Sequence, residues 1–268
     1  MSGGADSSAL LVLAAEAGCD VTAIHVDHGL RPGSADEAEV VATLAQRVGA
    51  GFVARRAPVA PGPNLEARAR SARQAVLPLG VMTGHTADDQ AETVLLNLLR
   101  GSGLDGLTGM GAGPRKPLLA LRRAETRCLC QTLGIDIVED PTNTDPRYRR
   151  NRVRHEVLPL LDDVAQRDVV AVVARSASLL GDDAQLLDDL TTAVDPTDAA
   201  ALAAAPLPLA RRAVRRWLVA SQPPHPPGSA TVARVLEVAG GVRRATEVGG
   251  GWRVARTDGR LRLEGGSR

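Results

Sequence analysis

The sequence predicts an α/β protein built on a doubly wound parallel sheet, followed by a helical linker and a small α+β module. Three observations carry this. Ser2-Gly-Gly-Ala-Asp-Ser-Ser8 runs directly into apolar Ala9–Ala15, a loop-to-helix join. Stretches rich in β-branched and apolar residues (Val21–Val26, Gly51–Arg55, Val81 onward) alternate with helix-like ones, the rhythm of strand–helix–strand units. Near the end, residues 245–248, 252–256 and 260–264 alternate in hydropathy about Asp258-Gly259, as antiparallel strands joined by a tight turn do.

Composition bounds the possibilities. The chain has 268 residues, 44% of them hydrophobic, enough for a large domain and a small one. No apolar run approaches the ~18 residues of a membrane span. Cys19, Cys128 and Cys130 are too few and too irregular for a disulfide framework or a zinc site. With no leader-like start, a cytoplasmic protein with free thiols is expected. Net charge is only +1, and Lys116 is the sole lysine among 32 basic residues. Genome composition accounts for that bias as readily as a need for guanidinium chemistry does.

Taken in order, the glycine pair at 3 and 4 lets the backbone turn tightly. The loop amides, the hydroxyls of Ser2, Ser7 and Ser8 and the positive end of the following helix then face one point, an anion site suited to phosphate. Asp6 fits beside a phosphate if a divalent cation lies between them, which suggests a magnesium-bound nucleotide. An ordinary surface turn is the alternative. Val21–Val26 reads as a buried strand ending in His25-Val-Asp-His-Gly-Leu-Arg31. Polar residues at that end sit where open α/β sheets bind ligands; His25 and His28 lack the further ligands a metal site needs. Ser34 opens a helix with Asp36, Glu37 and Glu39 in its first turns. Asn64 caps a helix carrying Arg68, Arg70 and Arg73.

Val81 onward reads as a strand, a glycine turn and a helix beginning near Thr86, with Val94, Leu95, Leu98 and Leu99 as its apolar stripe. Asp89 and Glu92, three apart, lie on one face near its start. Thr86-x-x-Asp89 also imitates a capping box, but Asp88, Asp89, Gln90 and Glu92 together exceed what capping needs. Gly101–Gly113 is too rich in glycine for a helix or strand and reads as a mobile loop. Strand-like Leu118–Leu121 and a helix over 123–133 follow. Asp140–Asp145 is a loop, and Arg147, Arg149, Arg150, Arg152 and Arg154 flank Tyr148. Such a block is either a solvated helix face or a surface for a polyanion such as single-stranded RNA. The tail reads as a long helix over 164–192 ended by Asp195–Asp198. A basic helix over 207–220, a Pro-rich loop over 221–228, a short helix over 229–239 and the terminal strands complete it.

Several motifs recur in a fixed order: Ser-Gly-Gly-Ala-Asp-Ser, His-Val-Asp-His-Gly-Leu-Arg, Glu66-Ala-Arg-Ala-Arg70, Gly84-His-Thr-Ala-Asp-Asp-Gln-Ala-Glu-Thr93, Arg100-Gly-Ser-Gly-Leu and Asp-Pro-Thr-Asn ahead of Arg150-Asn-Arg-Val-Arg154. Together they resemble the tRNA(Ile)-lysidine synthetases, a family of PP-loop ATP pyrophosphatases, over roughly residues 1–161. The resemblance implies a PP-loop catalytic domain over 1–161, a helical linker over 162–198 and a tRNA-binding-like module over 199–268, for which a purely structural cap is the alternative. It implies a reaction in which ATP adenylates carbon 2 of the wobble cytidine of an isoleucine tRNA with a CAU anticodon. The amine of free L-lysine then displaces AMP. Ser2, Gly3, Gly4, Ala5, Asp6, Ser7 and Ser8 would hold the ATP phosphates, with Asp6 on Mg2+. His25, Asp27, His28 and Gly84 would line the nucleotide pocket, and His85 would lie beside the adenylate. Asp89 and Glu92 would grip the lysine, and Arg70, Arg100, Arg150, Arg152 and Arg154 would meet the tRNA.

Gln74 stands where the pattern has tyrosine, and Lys116 where it usually has arginine. A tRNA thiolase would share the loop and arginines but usually carries paired cysteines, and Cys128-x-Cys130 is a poor match. A non-catalytic RNA-binding remnant would not need Asp6, Asp89 and Glu92. No oligomeric state follows from the sequence, and a dimer is compatible with it. The resemblance also implies an apolar strand just before Ser2. Met1 stands where that strand should end, so the expectation is a natural start upstream and a chain that, as written, is poorly stable and weakly active.

Overall fold

The computed structural model describes residues 1–268 apart from 28, 30–33, 61, 63, 64, 222–226 and 266–268, and the side chains at 34–36 and 65–67 are also outside the described set. His28, the Asn64 cap, the acidic start of the second helix at Asp36 and most of the 221–228 loop therefore lie outside the described residues. Two compact units divide the chain, Met1–Gly181 and Asp182–Arg268.

In the first unit, α1 spans Ala5–Glu16, with Gly4 extended at its N-cap. It starts four residues before the apolar run, because Asp6 and the serines are favourable in a first turn. Strands β1 (Thr22–Asp27) and β2 (Gly51–Arg56) pair in parallel, Thr22 opposite Gly51 through Asp27 opposite Arg56, joined by the crossover helix α2 (Ser34–Arg47). Ala9, Leu11 and Val12 of α1, Ala23 of β1, and Val41, Leu44 and Ala45 of α2 form one core with Leu118, Cys130 and Ile135. Helix α3 covers Leu65–Val76.

Two expected strands do not form. Val81–Thr83 is irregular, with the Thr83 N–H bonded to the Arg115 carbonyl at 2.9 Å. Among the described residues this unit's sheet contains β1 and β2 alone, so an apolar segment here finds no ladder to join. Leu118–Leu121 coils into turns, the Leu121 N–H closing on the Leu118 carbonyl at 2.9 Å. Burial of Leu118 explains its apolar character without strand pairing.

Helix α4 (Ala87–Leu99) begins after Thr86 as the sequence indicates. The glycine-rich stretch beyond it contains a short helix, α5 (Leu104–Leu107), and α4 staples it down. Gln90 donates to the Thr108 carbonyl at 3.0 Å and accepts from the Met110 N–H at 2.7 Å, while Asn97 donates to the Gly106 carbonyl at 2.8 Å. Helix α6 is Arg123–Thr132. A 3-10 turn at Pro141–Thr144, α7 (Arg149–Arg152), a π turn at Val153–Val157 and α8 (Leu158–Ala165) follow. Ala87 and Ala91 of α4 pack with Val153, Leu158 and Val170 in a second core. The predicted long helix is broken at Gln166, which is left-handed with φ 50°. The Asp168 carboxylate then accepts from the Val170 N–H at 3.0 Å and opens α9 (Val169–Thr191).

The second unit takes the end of α9. Asp198, expected only to close the preceding helix, caps a new one, α10 (Ala199–Ala204). Helices α11 (Leu207–Ala220) and α12 (Ser229–Ala239) match their expected spans. Strands β3 (Ala245–Gly249), β4 (Trp252–Thr257) and β5 (Arg260–Gly265) form an antiparallel sheet. Its second turn is Asp258-Gly259 with both φ positive, at 51° and 74°, the conformation Asp-Gly favours in hairpins. Val214, Leu218, Val235, Val238, Val254 and Leu261 are its buried centre. Among the described residues no helix is long and apolar enough to cross a membrane.

Candidate active site

The site grows from the turn ahead of α1. Gly3 adopts φ +76°, and a Cβ there would lie 2.7 Å from Val138 Cγ2; the Val138 N–H bonds to its carbonyl at 3.0 Å. The first bond of α1 runs from the Ser8 N–H to the Gly4 carbonyl at 3.0 Å, so the amides of Ala5, Asp6 and Ser7 precede it. Ser2 and Ser7 place their hydroxyls 3.3 Å apart on the exposed side. Ser8 points inward, buried and donating to the Gly3 carbonyl at 3.3 Å; it supports the loop from beneath. Ser7 also donates to the Gly4 carbonyl at 3.0 Å, so the turn presents a helix start whose first amides and exposed hydroxyls suit an anion.

Gly84 seats the next segment against this turn. A Cβ there would lie 2.5 Å from the Asp6 carbonyl oxygen, 2.8 Å from its carbon and 3.1 Å from Ser7 N. Gly84→Ala is accordingly expected to push the loop off its seat, costing about 1–3 kcal/mol as overpacked sites do and raising the KM for ATP. Denaturant titration and ATP kinetics check it; an unchanged midpoint and KM would show that the two segments separate freely.

Beyond Gly84 stands His85, half-buried, with Nδ1 2.8 Å from Thr83 Oγ1. That hydroxyl also lies 3.4 Å from the Arg115 carbonyl; when it donates there, it accepts from Nδ1–H and the imidazole lone pair is on Nε2. Burial lowers the pKa of His85, with Arg150, Lys116 and Arg70 adding to the effect and Asp89 opposing it. A lowered imidazole is neutral at pH 7 and able to take a proton. Activity should therefore persist below the ordinary imidazole value near 6.5 and fall only as pH drops through the lowered one. A pH–rate profile with an acid limb at or above the ordinary value would count against His85 as the base.

Asp6 is held from α6. Thr126 donates its hydroxyl to one carboxylate oxygen, and Arg123 Nε lies 3.5 Å from the other. Burial nonetheless raises the Asp6 pKa, outweighing Thr126 and Arg123. A carboxylate so under-compensated can accept a cation, and one carboxylate plus phosphate oxygens is how Mg2+ is commonly held. Among the described residues no group of three or more His, Cys, Asp or Glu is placed to hold a metal ion.

The acidic start of α4 is woven into arginines. Asp88 takes Arg122 side-on at 3.1 and 3.2 Å and the Arg123 N–H at 2.8 Å. Burial opposes its ionisation, but these donors together hold its pKa below the usual carboxylate value. Asp89 Oδ2 accepts from the Thr86 N–H at 3.0 Å and hydroxyl at 3.1 Å, so the capping role is real. Its other oxygen faces Arg123 at 3.0 Å. Glu92 is fully buried among Arg123, Arg150 and Arg154.

The structure thus brings together Asp6, Gly84, His85, Asp89 and Glu92. His25 joins the start of the loop: it is 2% exposed, with Nδ1 3.0 Å from the Met1 carbonyl and, among the described residues, no partner for Nε2. Asp27, at the end of β1, accepts from the Gly29 N–H at 2.8 Å. The arginine block divides. Arg150 and Arg154 turn inward to Glu92, whereas Arg152 is exposed and paired with Glu156 at 2.8 Å. Arg70 is exposed, and Arg100 is exposed and bonded to Asn97 at 3.3 Å. Arg122, Arg123 and Thr126 escaped the sequence reading. Their signal was two cations opening a helix, where the dipole disfavours positive charge, an arrangement that requires carboxylates elsewhere. Cys128 is exposed and Cys130 is buried with its thiol on the Ala5 carbonyl, so they form no paired-thiol site.

Comparison with known proteins places the chain in a family. Residues 1–161 match the family model of the PP-loop domain, and residues 198–262 match that of the TilS substrate binding domain. The tRNA(Ile)-lysidine synthase of Nocardia farcinica is 46% identical over 239 residues, covering 82% of this chain and 74% of that protein. That of Mycobacterium leprae is 42% identical over 240 residues, covering 82% and 73%. Among solved structures, the U34-tRNA thiolase NcsA from Methanococcus maripaludis with its 4Fe–4S cluster aligns with a TM-score of 0.54 at 20% identity, over 68% of this chain and 71% of that one. That likeness concerns the fold alone.

Proposed function

The chain belongs to the tRNA(Ile)-lysidine synthase family, and from that premise we propose how its residues divide the work of joining lysine to carbon 2 of a wobble cytidine in the isoleucine tRNA with a CAU anticodon. The observation that supports the reading is the contact of Gly84 with the Asp6 backbone, which brings the turn ahead of α1 against the segment that leads into α4. Gly3, Gly4 and the amides of Ala5, Asp6 and Ser7 take the phosphates of ATP. Asp6 holds Mg2+, which when bound neutralises phosphate charge.

In the first step the cytidine oxygen on carbon 2 takes the adenylyl group and pyrophosphate leaves. In the second, the lysine amine forms the carbon–nitrogen bond and AMP leaves with that oxygen. The amine must be deprotonated to attack, and His85, its pKa lowered by burial, would take its proton. Asp89 would hold the cationic part of the amino acid through Oδ1, in exchange with the arginines that face it. Holding the amine next to the activated carbon converts a bimolecular step into a local one. Exposed Arg70, Arg100 and Arg152 meet tRNA phosphates.

The decisive experiment measures AMP and pyrophosphate release from ATP with lysine and tRNA omitted in turn, and identifies the nucleoside formed by mass spectrometry. Turnover requiring both, with lysidine as product, is expected. A sulfur-containing product, or ATP use indifferent to lysine, would refute the reading.

A further inference from the structure

The surroundings of Glu92 are unlike those of a substrate-binding carboxylate. Its side chain is 0% exposed. Oε1 accepts from Arg123 Nη1 at 3.2 Å and Arg154 Nε at 2.7 Å. Oε2 accepts from Arg150 Nε at 2.6 Å and Arg154 Nη2 at 3.2 Å. A carboxylate offers about four acceptor sites, so both oxygens are saturated by guanidinium groups. A lysine ammonium could reach Glu92 only by displacing an arginine from a dry site. Asp89 faces the same three arginines, with Oδ1 3.0 Å from Arg123, 3.5 Å from Arg150 and 4.0 Å from Arg154, but among the described residues only the Arg123 contact is a close hydrogen bond, and the side chain keeps 13% exposure.

The two arginines on the far side of Glu92 lie just before and within a π turn. Arg150 lies in α7 and Arg154 in the Val153–Val157 turn, with Val153 buried against α4. Insertions of this kind gather side chains at functional places in helices. Arg150 and Arg154 remain 28% and 21% exposed, and among the described residues the Nη1 of each has no hydrogen-bond partner. Each guanidinium is thus gripped along one edge and offers the other outward. That is the pre-organised fork that suits phosphate.

We propose that Glu92 is a positioning residue that fixes Arg150 and Arg154 for contact with the tRNA, and is not a ligand of the substrate lysine. The inference rests on the lysidine-forming reading above and reassigns one residue within it. Arg123 extends the arrangement, touching Glu92, Asp89 and Asp6 at 3.2, 3.0 and 3.5 Å, so the tRNA-facing arginines and the nucleotide loop share one ionic chain.

The test compares two parameters in Glu92→Gln, which keeps the shape and removes the charge: the Kd for an isoleucine tRNA transcript and the KM for lysine. The expected result is a tRNA Kd raised about tenfold or more, the scale for losing one member of a buried charge pair, with a smaller change in lysine KM. A lysine KM raised as much as the tRNA Kd, or more, overturns the proposal. If Glu92→Gln does not fold, Arg154→Gln takes its place. A weaker tRNA Kd with no gain in lysine KM supports the assignment. A lowered lysine KM, from a carboxylate freed for the ammonium, overturns it. A wild type that binds tRNA but makes no lysidine refutes the reaction instead; a tRNA Kd ratio in Glu92→Gln below about threefold, under 1 kcal/mol by the usual conversion, then overturns the role of Glu92 separately.

Discussion

Asp6→Ala will lose ATP-dependent adenylation by at least about 100-fold, the scale for removing a preorganised electrostatic contact, while its thermal stability is kept or improved. The two halves of that result have one cause. Burial raises the Asp6 pKa above its ordinary 3.8, against the pull of Thr126 and Arg123. A carboxyl raised in the folded state adds stability below its unfolded pKa, and that stability is lost as pH rises through the folded value. At neutral pH the ionised group is therefore a cost to folding. Its removal strands little: the Thr126 hydroxyl can turn its one proton to the Arg123 carbonyl 2.9 Å away, and Arg123 keeps Asp89 and Glu92. Pyrophosphate release and a melting curve on the same preparation check both halves. Normal turnover by the folded variant would remove Asp6 from the reaction; a large drop in melting temperature would make it a structural residue.

The parts legible in the sequence were those whose signal is local. The loop before α1, the Thr86 start of α4, the span of α11 and the Asp258-Gly259 hairpin each follow from residue type and spacing within about one helical turn. Val81–Thr83 and Leu118–Leu121 were misread because an apolar run records burial, while a strand also needs a backbone partner. The site divides the same way. Asp6, Gly84, His85 and Asp89 sit in motifs, and Gly84 is recognisable because two backbones must touch there. Arg123 and Thr126 were invisible because their partner Asp6 lies more than a hundred residues away in the chain. The inward turn of Arg150 and Arg154 depends on a π turn and on Val153 packing beneath α4, which spacing alone does not encode.

Arg123→Met is expected to be the most destabilising single change at the site, by about 3–5 kcal/mol, the range for removing one partner from a buried ion pair. The guanidinium serves three carboxylates at once: Asp89 at 3.0 Å, Glu92 at 3.2 Å and Asp6 at 3.5 Å. Methionine fills much of the same volume, so the loss is electrostatic rather than a cavity. Exposed pairs set the contrast: Arg152–Glu156, at 60% and 49% exposure, is screened by solvent, and Arg152→Ala should leave the melt nearly unchanged. Arg123→Lys keeps a charge but cannot span three acceptors with one planar fork, so it should fall between wild type and methionine. Acid supplies an independent signature. Without Arg123 the Asp6 carboxyl loses a cation that lowers its pKa, so its folded value rises further. The stability deficit is then full at neutral pH and narrows as pH falls through that raised value. Urea titrations at neutral and acid pH read both effects, with a constant m-value showing that the unfolded state is unchanged. A neutral-pH midpoint within experimental error of wild type would mean that the carboxylates of α4 are held by Arg150 and Arg154 alone, and that the link from α4 to the nucleotide loop carries no energy.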